Sequence, residues 1–564
     1  MNQHKIVNYD YKPNTILIVQ AGPGTGKTYT LAQRINKLLD DIKPEEILVL
    51  SFTNKTVDLL KKLINDEVIV KTFHGYASKI IEKYYKPYFP NRVSLKLLDE
   101  ISWSSFKKLF SFGNKFDLAV KDVKFGLSIE DAAKKYKING GKLKNVIKYL
   151  NENGLVRYYD FLSTAIEILQ ISDGQIDEIA NIKVVIIDEY QDLHPEIIDF
   201  IEEIAMYGSP KHLTFLGDKQ QNIYEFIGAN STLQENLFQR LGKRKELYLN
   251  QSFRLTPEIV EYVKKIHPVE ITSMKESLHS PIIFSDHYFI IKEIERLILG
   301  SGGLIKFDDI LILARSNAQV EEIGKLLKNY SLPVSLKLDP QWMKSRIYIF
   351  LDILNVLNES HGSDFAILSI LMKLGYPKQK LNKIFKKYVM NKQAITHSSE
   401  IKSFTDILNE VKNLTTPLDV MLSLSRIVNR ASMLKEYINH ESSQDIKSFY
   451  NSLKRSYNES PNDFINHFLS NYINDYEECN AVNISTIHKA KGLEYPIVFL
   501  LNPNIERNLK YVAATRTKSL LYIQGDKTEN TINEEVIRKV TNDLGRRLIL
   551  NNVALGKKVL QKLK

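Results

Sequence analysis

The feature that most constrains this chain is a glycine-rich loop between a predicted strand and a predicted helix. Residues 15–20 are mainly apolar and β-branched, which predicts a buried strand, and a helical pattern follows from residue 28. The loop between them reads Ala21-Gly22-Pro23-Gly24-Thr25-Gly26-Lys27-Thr28. Its glycines let successive backbone N–H groups turn toward one anion, and the helix adds the positive end of its dipole. This pattern predicts a triphosphate site in which Lys27 reaches the β- and γ-phosphates and the Thr28 hydroxyl binds Mg²⁺.

A pair of adjacent carboxylates follows another predicted strand. The apolar run Val184–Ile187 ends in Asp188 and Glu189. Two carboxylates buried without a partner are costly, so a bound cation is expected beside them. We expect Asp188 to face Mg²⁺ and Glu189 to polarise the water that attacks the γ-phosphate. Together, the loop and the acidic pair predict a nucleoside triphosphatase.

Short apolar runs alternate with helical patterns along the chain, which favours an α/β fold with parallel strands and crossover helices. The runs lie at 15–20, 47–52, 184–187, 212–216, 310–314 and 497–500. They form two clusters, each interrupted by a long, mainly helical stretch. We expect a first core at 1–87 and 179–265, its insertion at 88–178, a second core at 266–357 and 481–525, its insertion at 358–480, and a basic C-terminal tail at 526–564.

The charge of the chain narrows the class of partner. Lys and Arg number 77 against 66 Asp and Glu, and the net charge of +11 favours a polyanion such as nucleic acid. Residues 101–150 are especially rich in lysine. They predict two short helices, at 131–136 and 143–150, with a turn at Asn139-Gly140-Gly141 between them. This segment is either a helix-turn-helix that reads DNA or a solvated basic insertion.

Cysteine content and hydropathy indicate the compartment. Cys479 is the only cysteine, so the chain can form neither an internal disulfide nor a multi-cysteine metal site. Residues 1–13 are polar and lack the apolar centre of a secretory signal. No apolar run approaches the ~18 residues of a membrane span. We expect a cytoplasmic protein that does not associate with a membrane.

Further motifs occur in a fixed order along the chain, two of them between the two nucleotide motifs and the others after the acidic pair. They are Ser51-Phe52-Thr53-Asn54-Lys55, Thr72-Phe73-His74-Gly75, Gly217-Asp218-Lys219-Gln220-Gln221-Asn222-Ile223-Tyr224 with Phe226, Gly228 and Ala229, Asn250-Gln251-Ser252-Phe253-Arg254, Ala314-Arg315-Ser316-Asn317-Ala318, Thr486-Ile487-His488-Lys489-Ala490-Lys491-Gly492-Leu493-Glu494, and Tyr511-Val512-Ala513-Ala514-Thr515-Arg516. In this order they closely resemble the UvrD/Rep/PcrA-like helicases of superfamily 1A, over about residues 3–525. The resemblance implies two RecA-like P-loop NTPase cores that enclose ATP, and DNA-contacting insertions of the 1B and 2B kinds. It also implies 3′-to-5′ movement on single-stranded DNA and unwinding of tailed duplex DNA.

The resemblance also implies the residues of the site. Those expected to act in catalysis are Lys27, Asp188, Glu189, Gln221 as a γ-phosphate sensor, and Arg254 and Arg516 as arginine fingers that each begin a helix. Those expected to contact ATP are Gln3, which reads the adenine, residues 21–28, Arg254, Glu494 and Arg516. Those expected to contact single-stranded DNA are Thr53, Asn54, Phe73, His74, Tyr224, Phe226, Arg315, Asn317, Thr486, His488 and Lys491. The aromatic members are expected to stack on bases and the polar ones to contact phosphate and sugar.

The sequence also departs from the family pattern. Ile227 stands where the family usually has Arg, and Ser252-Phe253-Arg254 replaces the usual Asn-Tyr-Arg. The segment between Glu494 and Tyr511 is short, and the insertion at 358–480 is small for a 2B domain. In its compact size the chain resembles the UvrD-like component of the Gabija antiphage system, whose partner is a separate nuclease.

Three functions stay open on the sequence. The first is an ATP-driven 3′-to-5′ DNA helicase. The second is a DNA-stimulated ATPase subunit of a defence or repair complex, which would unwind little without its protein partner. The third is a nucleotide-gated DNA-binding module without turnover. The combination of Glu189, Gln221, Arg254 and Arg516 favours turnover, because a protein that only binds needs none of these residues for hydrolysis.

Overall fold

The computed structural model describes residues 2–98, 103, 106–107, 113–158, 160–223, 228–229, 231–337, 367–368, 370–372, 376–384, 387, 399, 402, 406, 480–526 and 532–545. The chain divides into two compact units. The first comprises residues 1–76, 169–338 and 476–564, and the second comprises 77–168 and 339–475. The segments of the second unit thus begin and end somewhat earlier than the insertions expected at 88–178 and 358–480. No described helix is long and apolar enough to span a membrane.

The strands of the described chain are β1 (Thr15–Ala21), β2 (Ile47–Ser51), β3 (Ile69–Thr72), β4 (Lys96–Leu97), β5 (Leu155–Val156), β6 (Val184–Asp188), β7 (His212–Gly217), β8 (Lys243–Leu249), β9 (Gln251–Ser252), β10 (Thr272–Ser273), β11 (Ile282–Phe284), β12 (Ile310–Ala314), β13 (Val334–Lys337), β14 (Val482–Thr486), β15 (Tyr495–Leu500) and β16 (Thr517–Gln524). The helices are α1 (Asn2–Val7), α2 (Lys27–Leu38), α3 (Asn54–Lys61), α4 (Phe73–Tyr88), α5 (Asn114–Lys124), α6 (Ile129–Tyr136), α7 (Gly140–Glu152), α8 (Asp160–Ile171), α9 (Asp177–Ala180), α10 (Pro195–Met206), α11 (Ser231–Leu241), α12 (Pro257–Ile266), α13 (His287–Gly300), α14 (Asn317–Asn329), α15 (Lys378–Ile384), α16 (Arg507–Ala514) and α17 (Glu534–Asp543). The expected α/β fold with parallel sheets flanked by helices is confirmed.

The first sheet has the strand order β3-β2-β6-β7-β1-β8 and is parallel throughout. Every residue of β2, β6 and β7 is buried. Leu17 of β1 packs against Leu31 and Ile35 of α2, whereas its neighbours Ile16 and Ile18 are buried on the opposite face. A parallel sheet covered on both faces produces the continuous apolar runs seen in the sequence. We call this sheet with its helices the first core.

The second sheet has the order β11-β16-β15-β12-β14-β13 and is also parallel. The rings of Phe499 and Tyr522 stack at 4.3 Å between centroids in its centre. Val536, Ile537 and Val540 of α17 pack into the same apolar cluster. Within residues 526–564, which the sequence predicted as a basic C-terminal tail, the structure thus has a helix, α17, that buries an apolar face. We call this sheet with its helices the second core.

Strand order decides which loops meet. In a parallel sheet the carboxyl ends of all strands lie at one edge, where ligands bind in open α/β sheets. In the first core β6, β7 and β1 are neighbours, so the loops that follow them converge. The carboxyl ends of β2 and β3 lie beside this group at the same edge. The loops after β1, β6 and β7 therefore form one group, which contains the predicted nucleotide motifs. The loops after β2 and β3 form a second group beside it.

Candidate nucleotide site and nucleic-acid interface

The glycine-rich loop joins β1 to α2 in a compact turn. Gly24 and Gly26 have φ of +70° and +79°, in the left-handed region that glycine adopts readily. The Thr25 hydroxyl stabilises the turn by donating to the carbonyl of Gly22 at 2.8 Å. The helix α2 begins at Lys27, so its free N–H groups and its dipole lie at the end of the loop. This arrangement can bind a chain of phosphates.

The connection between β9 and α12 packs directly on this loop. The Ser252 hydroxyl donates to the carbonyl of Pro23 at 2.8 Å. A Cβ added at Gly24 would lie 2.3 Å from the Cβ of Arg254, so the close approach requires glycine. Arg254 therefore lies beside the loop. The expectation that it begins a helix is wrong, because α12 begins only at Pro257.

The N-terminal segment also lies against the loop. The amide of Gln3 donates from Nε2 to the carbonyl of Thr25 at 3.3 Å. Arg34 is fully buried, and its Nη1 donates to the carbonyls of Ile6 at 2.8 Å and Tyr9 at 2.9 Å. Because Arg34 belongs to α2, this contact holds the segment that carries Gln3 in register with the loop.

The acidic pair lies opposite the lysine of the loop. Asp188 ends β6, and Glu189 follows with a left-handed φ of 54°. Lys27 Nζ lies 3.1 Å from Glu189 Oε2, and Gln191 Nε2 donates to the same oxygen at 2.6 Å. Burial alone lowers the pKa of Lys27, but the charges of Glu189 and Asp188 outweigh burial and raise it. Lys27 is therefore held as a cation.

The two carboxyl groups differ in their electrostatic environment. Burial and the neighbouring Glu189 raise the pKa of Asp188. For Glu189 burial also acts to raise the pKa, but the charges of Lys27 and Lys491 lower it overall. A buried carboxyl with a raised pKa gains from a nearby cation.

The donor set beside the loop fits a magnesium ion bound together with a nucleotide. No group of three or more His, Cys, Asp or Glu side chains in the described part of the chain could hold a metal by itself. Mg²⁺ is commonly held by only one or two protein oxygens, with phosphates and waters completing the shell. Asp188 at the end of β6 and the hydroxyl of Thr28 in α2 are the residues that would supply them.

The segment after β7 receives side chains from both cores. Gln221 Nε2 donates to Asp218 Oδ2 at 2.9 Å. The Tyr511 hydroxyl, on α16 of the second core, lies 3.2 Å from the same carboxylate oxygen. Arg516 Nη2 donates to Gln221 Oε1 at 3.1 Å. The two cores therefore meet at the residue expected to sense the γ-phosphate.

Arg516 is buried and held from several sides. It is 2 % exposed, and its guanidinium also donates to the carbonyls of Val512 at 2.9 Å and Leu493 at 3.2 Å. Burial lowers its pKa to about 10, so it stays charged at neutral pH. It follows α16 and precedes β16, so the expectation that it begins a helix is wrong.

Arg254 also contacts the second core. Its Nη2 lies 2.5 Å from Glu494 Oε2, and its Nη1 donates to the carbonyl of Thr515 at 3.3 Å. Lys518 lies 2.8 Å from the other oxygen of Glu494. Burial acts to raise the pKa of Glu494, but Arg254 and Lys518 lower it overall. Both expected arginine fingers therefore lie where the cores touch.

Lys491 differs from its expected role as a DNA contact. Its Nζ lies 2.6 and 2.7 Å from the two oxygens of Asp192, and it donates to the carbonyl of Gln221 at 2.9 Å. The two side chains are 12 % and 7 % exposed. Lys491 therefore links the second core to the acidic segment of the first core, and its cation is paired there instead of facing solvent.

Four of the residues expected to contact DNA are exposed at the carboxyl ends of strands. Thr53 and Asn54 follow β2, where the Thr53 hydroxyl caps α3 by accepting from the Thr56 N–H at 3.2 Å. Arg315 and Asn317 follow β12 at the corresponding edge of the second core. Arg315 lies 3.1 Å from Glu506, in an exposed ion pair that a phosphate could replace.

The remaining described candidates are less accessible. Phe73 is 1 % exposed and packs edge-on against Phe52 at 5.1 Å, so its ring cannot stack on a base here and the expectation of stacking is not met. Thr486 is also buried, and its hydroxyl accepts from a backbone N–H. Burial lowers the pKa of His74 to about 4 and lowers that of His488. Both histidines are therefore neutral and partly buried.

Two aromatic candidates, Tyr224 and Phe226, lie outside the described residues, as does Ile227. Conversely, sequence reasoning missed Asp192, Tyr511 and Asn508. Asn508 Nδ2 donates to the carbonyl of Asn222 at 2.8 Å. Asn508 and Tyr511 are three residues apart on a helix and so share one face, which was a usable signal.

The chain is similar to known proteins over most of its length. The model of the UvrD/REP helicase N-terminal domain matches residues 1–241, and that of the UvrD-like helicase C-terminal domain matches residues 142–528. The ATP-dependent DNA helicase HMI1, mitochondrial, of Saccharomyces cerevisiae is 28 % identical over 98 % of this chain and 92 % of its own. The ATP-dependent DNA helicase srs2 of Schizosaccharomyces pombe is 24 % identical over 92 % and 70 %. The ATP-dependent DNA helicase PcrA of Staphylococcus epidermidis is 24 % identical over 90 % and 81 %.

Proposed function

The chain belongs to the UvrD-like family of ATP-dependent DNA helicases, and we propose that it moves 3′ to 5′ along single-stranded DNA and unwinds tailed duplexes. The polarity is proposed from the order of the motifs alone, and the observation that supports ATP-driven movement is the hydrogen bond from Arg516 of the second core to Gln221 of the first. The negative charges of Glu189 and Asp218 also favour the cationic form of Arg516, which supports a role for this cation beside the acidic residues. Hydrolysis that needs a cation from the opposite core depends on how the cores meet, which couples chemistry to movement.

The roles proposed for the nucleotide site follow from the contacts. Lys27 would exchange Glu189 for the β- and γ-phosphates, and the released carboxylate of Glu189 would then orient and polarise the attacking water. Gln221 would help to position that water. Mg²⁺, held by Thr28 and Asp188 when bound, would supply positive charge beside the phosphates. Arg254 and Arg516 would stabilise the charge that develops on the transferred phosphoryl group.

The remaining nucleotide contacts are proposed from the same arrangement. Residues 21–28 would surround the phosphates with backbone N–H groups, and Gln3 would read the adenine from the segment that Arg34 anchors. Glu494 already pairs with Arg254. We propose that ATP binding breaks this ion pair. Arg254 would then face the phosphates, and Glu494 would face the nucleotide from the second core.

A path for single-stranded DNA is proposed along the carboxyl edges of the two sheets. Thr53, Asn54, Arg315 and Asn317 are exposed there, and His488 is partly exposed. Short polar and cationic groups of this kind contact phosphate and sugar without reading sequence. Tyr224 and Phe226 remain in the proposal as base-stacking residues on the strength of their motif alone, whereas Phe73 and Lys491 do not.

One set of assays tests the proposal. ATP hydrolysis is measured with single-stranded DNA, duplex DNA and RNA, and unwinding is measured on 3′-tailed and 5′-tailed duplexes. We expect stimulation by single-stranded DNA and unwinding of the 3′-tailed substrate. Unwinding of only the 5′-tailed substrate would refute the polarity. Stimulated hydrolysis without unwinding would favour the subunit of a defence or repair complex, and ATP binding without hydrolysis would favour the nucleotide-gated module.

The cellular location is also a proposal. A single cysteine fits a reducing compartment, and we propose the cytoplasm. The name of the yeast relative places that protein in mitochondria. Fractionation of cells that express a tagged chain tests the location directly.

A further inference from the structure

We propose that residues 113–152 form a helix-turn-helix that binds duplex DNA, with α7 in the major groove. The helices α6 and α7 are joined by only three residues, and the first of these, Lys137, has a left-handed φ of 53°. A short turn between two helices is the defining feature of this unit, and its second helix is the one that enters DNA. The inference rests on the proposed function only in that both require DNA, and it needs no ATP turnover.

A small shared core holds α7 against the two helices before it. Its buried apolar members are Phe116, Ala119 and Val120 of α5, Ala132 of α6, and Leu143, Val146 and Ile147 of α7. Where α6 and α7 approach, a Cβ added at Gly140 would lie 3.4 Å from the Cβ of Ala133. Small residues at both positions permit the close packing that a three-residue turn imposes. The orientation of α7 is therefore set by packing.

Side-chain caps fix where both helices begin. The Ser128 hydroxyl accepts from the N–H of Asp131 at 3.0 Å, and Asn139 Oδ1 accepts from the N–H of Lys142 at 2.8 Å. Such caps contribute about 1 kcal/mol each and define the first turn. The Asn139 cap therefore orders the end of the turn that leads into α7, and at the other end of the turn Lys137 closes α6 by donating its N–H to the carbonyls of Ala133 and Lys134.

The face of α7 turned away from this core is basic and polar. Lys144, Asn145 and Lys148 are exposed, as are Gly141 and Asn151. Positions three and four apart share one face of a helix, so the two lysines are neighbours with Asn145 beside them. Glu152 is the only acid in α7, and its contact with Lys148 at 3.7 Å is an exposed pair of little strength.

Two of the four other acids of the unit, Asp117 and Asp122, form ion pairs, whereas Glu130 and Asp131 are exposed in the first turn of α6. Asp117 lies 2.7 Å from Arg157 and 3.1 Å from Lys107, and Asp122 lies 2.7 Å from Lys135. These pairs involve α5 and its neighbours and leave the exposed face of α7 with its positive charge. A face of lysine and asparagine suits phosphates and the base edges of DNA.

Duplex DNA is the occupant that fits this face best. The major groove of B-form DNA is about 12 Å wide and admits an α-helix. The major groove of A-form RNA is deep and narrow and excludes side chains from its floor. The helix α7 should therefore prefer DNA duplex over RNA duplex, which a merely basic surface would not do.

The test uses the full chain without nucleotide and a DNA dumbbell, whose closed ends offer no single-stranded tail. Binding is followed by fluorescence anisotropy across a salt titration. We expect the double variant Lys144→Ala/Lys148→Ala to bind the dumbbell at least about tenfold more weakly and to lower the salt slope by about two. The matched control is Lys325→Ala/Lys328→Ala, two exposed lysines of α14 in the second core, which should stay within about twofold of the wild type.

Several outcomes would overturn the inference. Equal losses in the two double variants, or equal binding of the dumbbell and an RNA duplex, would reduce α7 to a general basic surface. A second measurement places Asn145→Cys in a Cys479→Ser background, since Cys479 is the only cysteine. Disulfide capture by a thiol tethered in the major groove supports the docking, and capture only from the minor groove refutes it. Failure of the unwinding assays with this binding pattern intact would refute the proposed motor and leave this inference standing.

Discussion

Replacing Lys491 by Met should weaken the contact between the two cores. The contacts that Lys491 makes set an upper limit on the free energy lost. Lys491 pairs with both oxygens of Asp192 and with the carbonyl of Gln221 in a buried setting. Burial raises the pKa of Asp192 to about 6, although Lys491 lowers it. At pH 7.5 the ionised form of Asp192 is therefore favoured by about 1.5 pH units, which corresponds to ~2 kcal/mol.

Without Lys491, Asp192 can take up a proton. The contact between the cores then loses ~2 kcal/mol for the protonation of Asp192 and ~1 kcal/mol for the lost hydrogen bond to Gln221. A charge that stayed buried and unpaired would cost about 3–5 kcal/mol from the ion pair alone. We expect kcat/KM for DNA-stimulated ATP hydrolysis to fall by up to about 100-fold at pH 7.5. As the pH falls to 6, Asp192 is increasingly protonated in the wild type as well, so the difference should narrow by roughly tenfold.

The assay compares Lys491→Met, Lys491→Met/Asp192→Asn and wild type between pH 6 and 8. The double variant has no carboxyl to protonate, so it should recover at least about tenfold at pH 7.5 and show a flat ratio to wild type. Lys325→Met, an exposed lysine of α14, controls for loss of charge. A Lys491→Met defect of the same size at pH 6 and pH 8, with no recovery in the double variant, would refute the reasoning.

Three further predictions concern the first core. Lys27→Ala should abolish ATP turnover, because the phosphates lose their cation, while anisotropy should show affinity for single-stranded DNA within about twofold of the wild type. Glu189→Gln should retain ATP in filter binding but hydrolyse it at least ~100-fold more slowly, because an amide does not polarise water as a carboxylate does. Burial and Arg34 lower the pKa of His212 to about 4. In the folded state His212 therefore stays neutral down to about pH 4, whereas in the unfolded chain it binds a proton below about pH 6.5. Lowering the pH to 4 should consequently lower the free energy of unfolding of the first core by up to ~3 kcal/mol. If the urea midpoint of His212→Gln fell between pH 6.5 and pH 4 by as much as that of the wild type, the acid sensitivity would not come from His212.

Most inner strands could be predicted from the sequence, whereas the edge strands and two inner strands of the second sheet, β14 and β16, were missed. The run at 310–314 coincides with β12, and that at 47–52 with β2 to within one residue. The strand β8 lies at the edge of the first sheet, and its first four residues are all charged, three of them exposed. Edge strands often carry lysine, which prevents pairing with other chains and also removes the apolar run that reveals a strand. The helix α17 was missed because its apolar face is spaced along a charged segment.

The candidate site was predictable where a role depends on one local motif. The loop at 21–28 and the pair Asp188 and Glu189 meet as expected, because each follows a buried strand of a parallel sheet. Lys491 and Phe73 differ because their partners come from elsewhere in the fold. Lys491 and Asp192 are 299 residues apart, and no local pattern records that an ion pair forms between them. Burial of the Phe73 ring likewise depends on how α4 packs after β3.

The strand order of the second sheet has a consequence for synthesis on the ribosome. The strand β12 ends at Ala314, but its two neighbours, β14 and β15, begin only at Val482 and Tyr495. At ~5–20 residues per second, translation leaves both sides of β12 without partners for roughly ten to thirty seconds. Unpaired strand edges invite association with other nascent chains. The yield of native chain should therefore depend on chaperones that cover the exposed edges of β12 until β14 and β15 have been synthesised.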